Sequence, residues 1–95
     1  MLYALIATDR PDGLEDRLKH RPDHLKFLES LGNSLQLAGA LIDANGNPEG
    51  SLVVVEAETQ AEAEAMLGRD PFAERGVFSD VRIRPWRVAI NHMKG

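Results

Sequence analysis

Of the three histidines in this 95-residue sequence, His20, His24 and His92, only His24 is placed where proton transfer can be organised. On a helix it projects onto the face of Phe27, Leu28 and Leu31, which lie three, four and seven residues further on. A histidine used for acid–base chemistry near neutral pH needs a partner that fixes its tautomer and stabilises its charged form, and a buried carboxylate does both. Asp70, in Asp70-Pro71-Phe72, is the candidate partner. Two other readings stay open. A histidine on an apolar face also serves as a core residue hydrogen-bonded to a backbone carbonyl, and Asp70-Pro71 is a good N-cap followed by a first-turn proline. Capping and pairing are compatible, because a carboxylate has two oxygens.

The other polar candidates have weaker settings. Asp9 ends the first apolar run and either approaches a cleft or starts a turn. Arg21 either binds an anion or is solvated. Gly50-Ser51 offers an amide and a hydroxyl at a strand start, without a G-x-S-x-G elbow around them. Arg82 and Arg84 form either an anion site or a solvated face, and Trp86 reads as a core or interface anchor. His20 and His92 lack metal-ligand spacing with each other or with His24, and there is no cysteine, so no metal is expected. No G-x-G-x-x-G or Walker pattern occurs, so no cofactor is expected either.

With 43% hydrophobic and 27% charged residues, the chain reads as one soluble globular domain over residues 1–95, near the small end of what buries a core alone. The net charge of −4 gives no footprint for nucleic acid. The N-terminal apolar run is too short to span a membrane and lacks a basic leader, so the expected partners exclude membrane and nucleic acid and the expected location is cytoplasmic.

These residues need elements to position them. Leu2 to Ala7 reads as a strand apolar on both faces. Leu14 and Leu18 begin an amphipathic helix, and Pro22 predicts that it breaks near His20-Arg21 and restarts, burying Leu25, Phe27, Leu28 and Leu31 before Gly32-Asn33. A restart at Pro22 would put His24 in a first turn, near free amides that disfavour the imidazolium. Leu35 to Ile42 is a second strand, with Gly39 marking a bulge or close approach. Asn45-Gly46 signals a hairpin into Leu52 to Val55, the most β-prone run. Thr59 to Glu62 fits a capping box opening a second helix, in which Ala61, Ala65 and Gly68 form a small-residue stripe suited to lie against a sheet. Asp70 to Gly76 makes one more helical turn. Val77 to Trp86 is the last strand, and residues 88–95 form a loosely packed tail.

The order β-α-β-β-α-β is that of a ferredoxin-like α+β sandwich with a four-stranded antiparallel or mixed sheet and the first and third strands central. Two helices cover one sheet face only, yet the central strands are apolar on both. The open face therefore predicts a homodimer.

Arg17-Leu18, Arg21-Pro22-Asp23-His24-Leu25, Leu37-Ala38-Gly39, Gly50-Ser51, Asp70-Pro71-Phe72, Gly76-Val77 and Arg84-Pro85-Trp86, in this order after Met1-Leu2-Tyr3, resemble the YciI-like (YCII-related) family. The resemblance implies a ferredoxin-like protomer dimerised through its sheet, as in the dimeric α/β-barrel superfamily. It also implies a cleft whose histidine and aspartate, here His24 and Asp70, form a catalytic dyad. The expected function is a small cofactor-independent enzyme, lyase (dehydrochlorinase-like) or hydrolase, moving a proton on a small metabolite held in the cleft. The alternative is a non-catalytic dimeric metabolite-binding or stress-related accessory protein.

Overall fold

The computed structural model describes residues 1–93, so Lys94 and Gly95 of the expected tail lie outside the described residues. Four strands, β1 (Leu2–Asp9), β2 (Leu35–Ile42), β3 (Pro48–Glu56) and β4 (Phe78–Trp86), form one sheet in the order β2-β3-β1-β4. Every neighbouring pair is antiparallel, which settles the choice between an antiparallel and a mixed sheet. Three helices, α1 (Leu14–Ser30), α2 (Gln60–Leu67) and α3 (Pro71–Glu74), connect them, and a 3-10 turn (Gly32–Ser34) leads from α1 into β2.

The register places Leu5 between Val53 and Ile83 and Tyr3 opposite Val55. With Ala7, Ala57, Leu28, Ala63 and Leu67 these residues make the core beneath the helices. The alternate residues Ala4, Ile6, Leu52 and Val54 fall on the other face, as the period of a strand requires. Arg82, Arg84 and Trp86 oppose Ile6, Ala4 and Leu2 on that same face. Among the described residues after Trp86, 87–93, there is no helix or strand, and Ile90 and Met93 are 78% and 74% exposed.

The expected break in the first helix does not occur: α1 is a single 17-residue helix with Pro22 inside it. A proline in a helix interior removes the bond to the carbonyl four residues back, here Leu18. Both Leu18 and Pro22 are exposed, so water can satisfy that carbonyl. Buried Arg17 on one side of Pro22, and His24 and Leu28 on the other, anchor both halves to the sheet. His24 therefore lies in mid-helix, and the dipole argument from a first turn does not apply to it. The buried stripe also differs from the apolar reading. Leu25 is 38% exposed, whereas Arg17 is buried.

Two smaller expectations are also corrected. In α2 the threonine cap is present, with Thr59 Oγ1 accepting from the Glu62 amide at 3.1 Å. Yet Ala61, Ala65 and Gly68 face solvent, while Ala63 and Leu67 enter the core. Burying a leucine removes far more apolar surface than burying an alanine, and that sets the helix rotation. Gly39 marks neither a bulge nor a close approach, since a Cβ there would meet nothing within 4 Å. The close approach is at Gly50, where a Cβ would stand 2.3 Å from the Ala7 carbonyl oxygen.

Candidate active site

One face of α1 supplies Arg17, Arg21 and His24, spaced four and three residues apart and so aligned along the helix. The adjoining end of β1 supplies Asp9, and β3 supplies Ser51, which follows the close contact at Gly50. α3 supplies Asp70 and Phe72 from its first turn.

His24 and Asp70 meet. His24 Nδ1 lies 2.8 Å from both Asp70 oxygens, and Oδ1 also accepts from the Phe72 amide at 2.9 Å. Capping and pairing thus coexist on one carboxylate. Both residues are deeply buried, at 7% and 1% exposure. An ionised carboxylate only accepts hydrogen bonds, so Nδ1 carries the proton that is donated to it. In the neutral ring this leaves the Nε2 lone pair free. Nε2 has no hydrogen-bond partner among the described residues and is not among the fully enclosed atoms, and His24 lines the cleft described below. Phe72, fully buried, stacks on the imidazole with centroids 4.0 Å apart and planes 15° from parallel. Phe78 packs edge-on against Phe72 at 5.8 Å. Carboxylate and ring together hold the imidazole in one orientation.

A second buried pair stands beside the first. Arg17 donates to Asp9 through Nε at 2.5 Å and Nη2 at 3.0 Å, and Nη2 also donates to Ser51 Oγ at 2.8 Å. The guanidinium carbon lies 4.4 Å from the Phe72 ring centre. The Arg17 and Asp9 side chains are 4% and 5% exposed, so each compensates a charge that would be costly alone.

Between α1 and the sheet lies a cleft of about 130 Å³. Arg17, Arg21, His24 and Leu25 line one side, and residues 38–40 of β2 with Ser51 line the other. On the outer surface Arg75 bridges α3 to α1 by bonding Asp23 at 2.8 Å and the His20 ring at 3.0 Å. That hydrogen bond, and then the arginine charge, hold the Asp23 carboxyl below its ordinary value of 3.8. Arg10 does the same for Asp16.

Of the sequence candidates, His24, Asp70, Asp9, Ser51 and Arg21 gather at or around this cleft. Arg82, Arg84 and Trp86 lie on the opposite sheet face, and His92 is in the exposed tail. Arg17 and Phe72 had no role in the residue-based reading. The signal for Arg17 was its spacing, seven residues before His24 and eleven before Leu28, which places it on the buried stripe. Among the described residues no cluster of three histidines or carboxylates is arranged to hold a metal, and no helix is long and apolar enough to cross a membrane.

The chain is similar to proteins described as YciI. It is 35% identical over 95 residues to protein YciI of Escherichia coli O6:H1, covering 92% of this chain and 97% of that one. An uncharacterised protein of Haemophilus influenzae is 36% identical with the same coverage. Among solved structures, 5-chloro-2-hydroxyhydroquinone dehydrochlorinase from Burkholderia phenoliruptrix AC1100, in complex with 2,5-dihydroxybenzoquinone, superposes with a TM-score of 0.85. That protein is 29% identical, with 92% of this chain and 94% of that chain covered. The model of the YCII-related domain matches residues 1–87, and the chain belongs to the YCII-related family.

Proposed function

We propose that this protein is a small enzyme that moves a proton on a ligand held in the α1–β2 cleft, with His24 Nε2 as the base and Asp70 as the group that orients it. The observation that carries the reading is the buried, cleft-lining histidine whose Nδ1 is engaged by both oxygens of a buried carboxylate while Nε2 has no partner among the described residues. In an elimination the proton passes to Nε2, its bonding pair forms the new double bond, and the leaving group departs with its own pair. The imidazolium is stabilised through Nδ1–H by Asp70 and returns the proton to solvent or product. The dehydrochlorinase supports this reaction class and a hydroxylated six-membered ring as the substrate type.

Assembly belongs to the same proposal. Ile6, Leu41 and Trp86 are 47%, 37% and 42% exposed on or beside an apolar hollow of about 520 Å³ over the open sheet face. A second copy packed there forms a two-fold dimer. Because Gly39 has open space around it, Gly39→Arg leaves the protomer intact and blocks that face. Light scattering should show a dimer for the parent and a monomer for the variant; a parent monomer at micromolar concentration contradicts the assembly.

The catalytic test is a panel of hydroxylated and chlorinated six-membered rings, with chloride release and proton exchange followed by NMR. The His24→Ala rate should fall by roughly 10²-fold or more. Binding without turnover across the panel would favour a non-catalytic metabolite-binding protein, and unchanged turnover in His24→Ala would reject the dyad.

A further inference from the structure

We infer that the floor of the His24 cleft is an oxyanion-binding subsite, built from Arg17 Nη1 and the Ser51 hydroxyl, with Arg21 as a second cation at its mouth. The ligand is therefore a single-ring-sized molecule carrying an ionised carboxylate or phenol. This rests on the reading that the cleft holds the substrate, and it adds which end of the substrate is recognised.

Arg17 carries five N–H donors, of which Nε and both on Nη2 are committed to Asp9 and Ser51. Nη1 has no partner among the described residues and is not an enclosed orphan, and Arg17 lines the cleft. Arg17, its side chain only 4% exposed, thus keeps two donors uncommitted to any protein acceptor beside the cleft. Ser51 repeats the pattern. Its Oγ accepts from Arg17 at 2.8 Å, which leaves the O–H proton without an acceptor among the described residues, and Ser51 also lines the cleft. Arg21, one turn along α1, lines the same cleft and has no carboxylate within ion-pair distance among the described residues.

The nearby acceptors are sealed off. Asp9 spends its oxygens on Arg17, and Asp70 spends its own on His24 and the Phe72 amide. In a chain of net charge −4, the cleft lining holds two arginines and no carboxylate. Its volume of about 130 Å³ is near the roughly 150 Å³ that encloses a benzene ring, which limits the ligand to about one ring. An oxyanion on Arg17 and Ser51 would set the ring across the cleft toward Nε2, so the base would act on a fixed position of the ligand.

Removing Arg17 strands Asp9 in the core, so the test uses Ser51→Ala and Arg21→Ala in the full chain. Benzoate, 4-nitrophenolate and the neutral isostere benzamide are titrated while the His24 ring resonances are followed by NMR. At least one anion should bind about tenfold or more tighter than benzamide. Each substitution should weaken that anion about three- to tenfold and leave benzamide unmoved. Preference for benzoate identifies a carboxylate ligand, and preference for 4-nitrophenolate a phenol. Equal binding of anion and benzamide, anion binding untouched by both substitutions, or no anion binding at millimolar concentration overturns the proposal. The two readings fail separately. Anion preference with His24-independent turnover rejects the dyad alone, and His24-dependent turnover without anion preference rejects the subsite alone.

Discussion

Asp70 performs two tasks with one carboxylate, and replacing it separates them. It caps α3 through the Phe72 amide at 2.9 Å and holds His24 Nδ1 at 2.8 Å, all at 1% exposure. Asp70→Ala removes the cap, worth about 1 kcal/mol. It also removes a hydrogen bond to a charged acceptor, worth about 1.5–3 kcal/mol. The sum is about 3 kcal/mol, and for a domain of this size each kcal/mol moves Tm by roughly 4–8 °C. Thermal melts at fixed protomer concentration should therefore show a drop of roughly 12–24 °C. Asp70→Asn should behave differently. Its single carbonyl oxygen can keep the cap, at a cost of about 1 kcal/mol for the lost charge. Its amide then presents a donor to Nδ1, which pushes the imidazole proton to Nε2 and removes the base. Turnover should fall by orders of magnitude while the fold survives, as for the wrong-tautomer effect in serine protease triads. An Asp70→Ala protein within about 0.5 kcal/mol of the parent, or an Asp70→Asn protein with parental turnover, would refute this division of labour.

Other expectations follow from the same geometry. Asp9→Ala leaves the Arg17 guanidinium buried without its counter-ion and should cost about 3–5 kcal/mol in urea unfolding, with Asp9→Asn intermediate. Gly50→Ala drives a Cβ to 2.3 Å from the Ala7 carbonyl and should be clearly destabilising, whereas Gly39→Ala, with nothing within 4 Å, should leave protomer stability within about 0.5 kcal/mol. The Asp23 carboxyl titrates below 3.8 when folded, so its pairing with Arg75 stabilises the fold above that pH and is lost as pH falls through the lower folded value. Arg75→Ala should flatten this part of the acid-unfolding curve, only slightly because the pair is exposed.

Much of this arrangement was legible from residue types. The central strands announced themselves by apolar, β-prone runs and the hairpin by Asn45-Gly46, whose glycine has φ +84. The His24–Asp70 pair was legible because a histidine stood among leucines and a capping aspartate preceded Pro71. Pro22 misled, because local propensity argues for a break while packing on both sides of an exposed proline holds the helix together. The Arg17–Asp9–Ser51 network was illegible for a related reason. An arginine reads as solvent-facing until a carboxylate from another element arrives to compensate it, and that contact joins β1, α1 and β3. Leu25 failed because the buried stripe of α1 runs through Arg17, His24 and Leu28, two of them held by carboxylates, and leaves Leu25 off it. The alanine stripe of α2 failed because burying Leu67 sets that helix's rotation.

The central claim is a histidine held with its proton on Nδ1 and its Nε2 lone pair open to the cleft. Long-range nitrogen–proton NMR of the imidazole rings reads this directly, without knowledge of the substrate. Neutral His24 should be the Nδ1–H tautomer in the parent and switch to Nε2–H in Asp70→Asn. A parent His24 already in the Nε2–H form, or freely exchanging between the two, would contradict it.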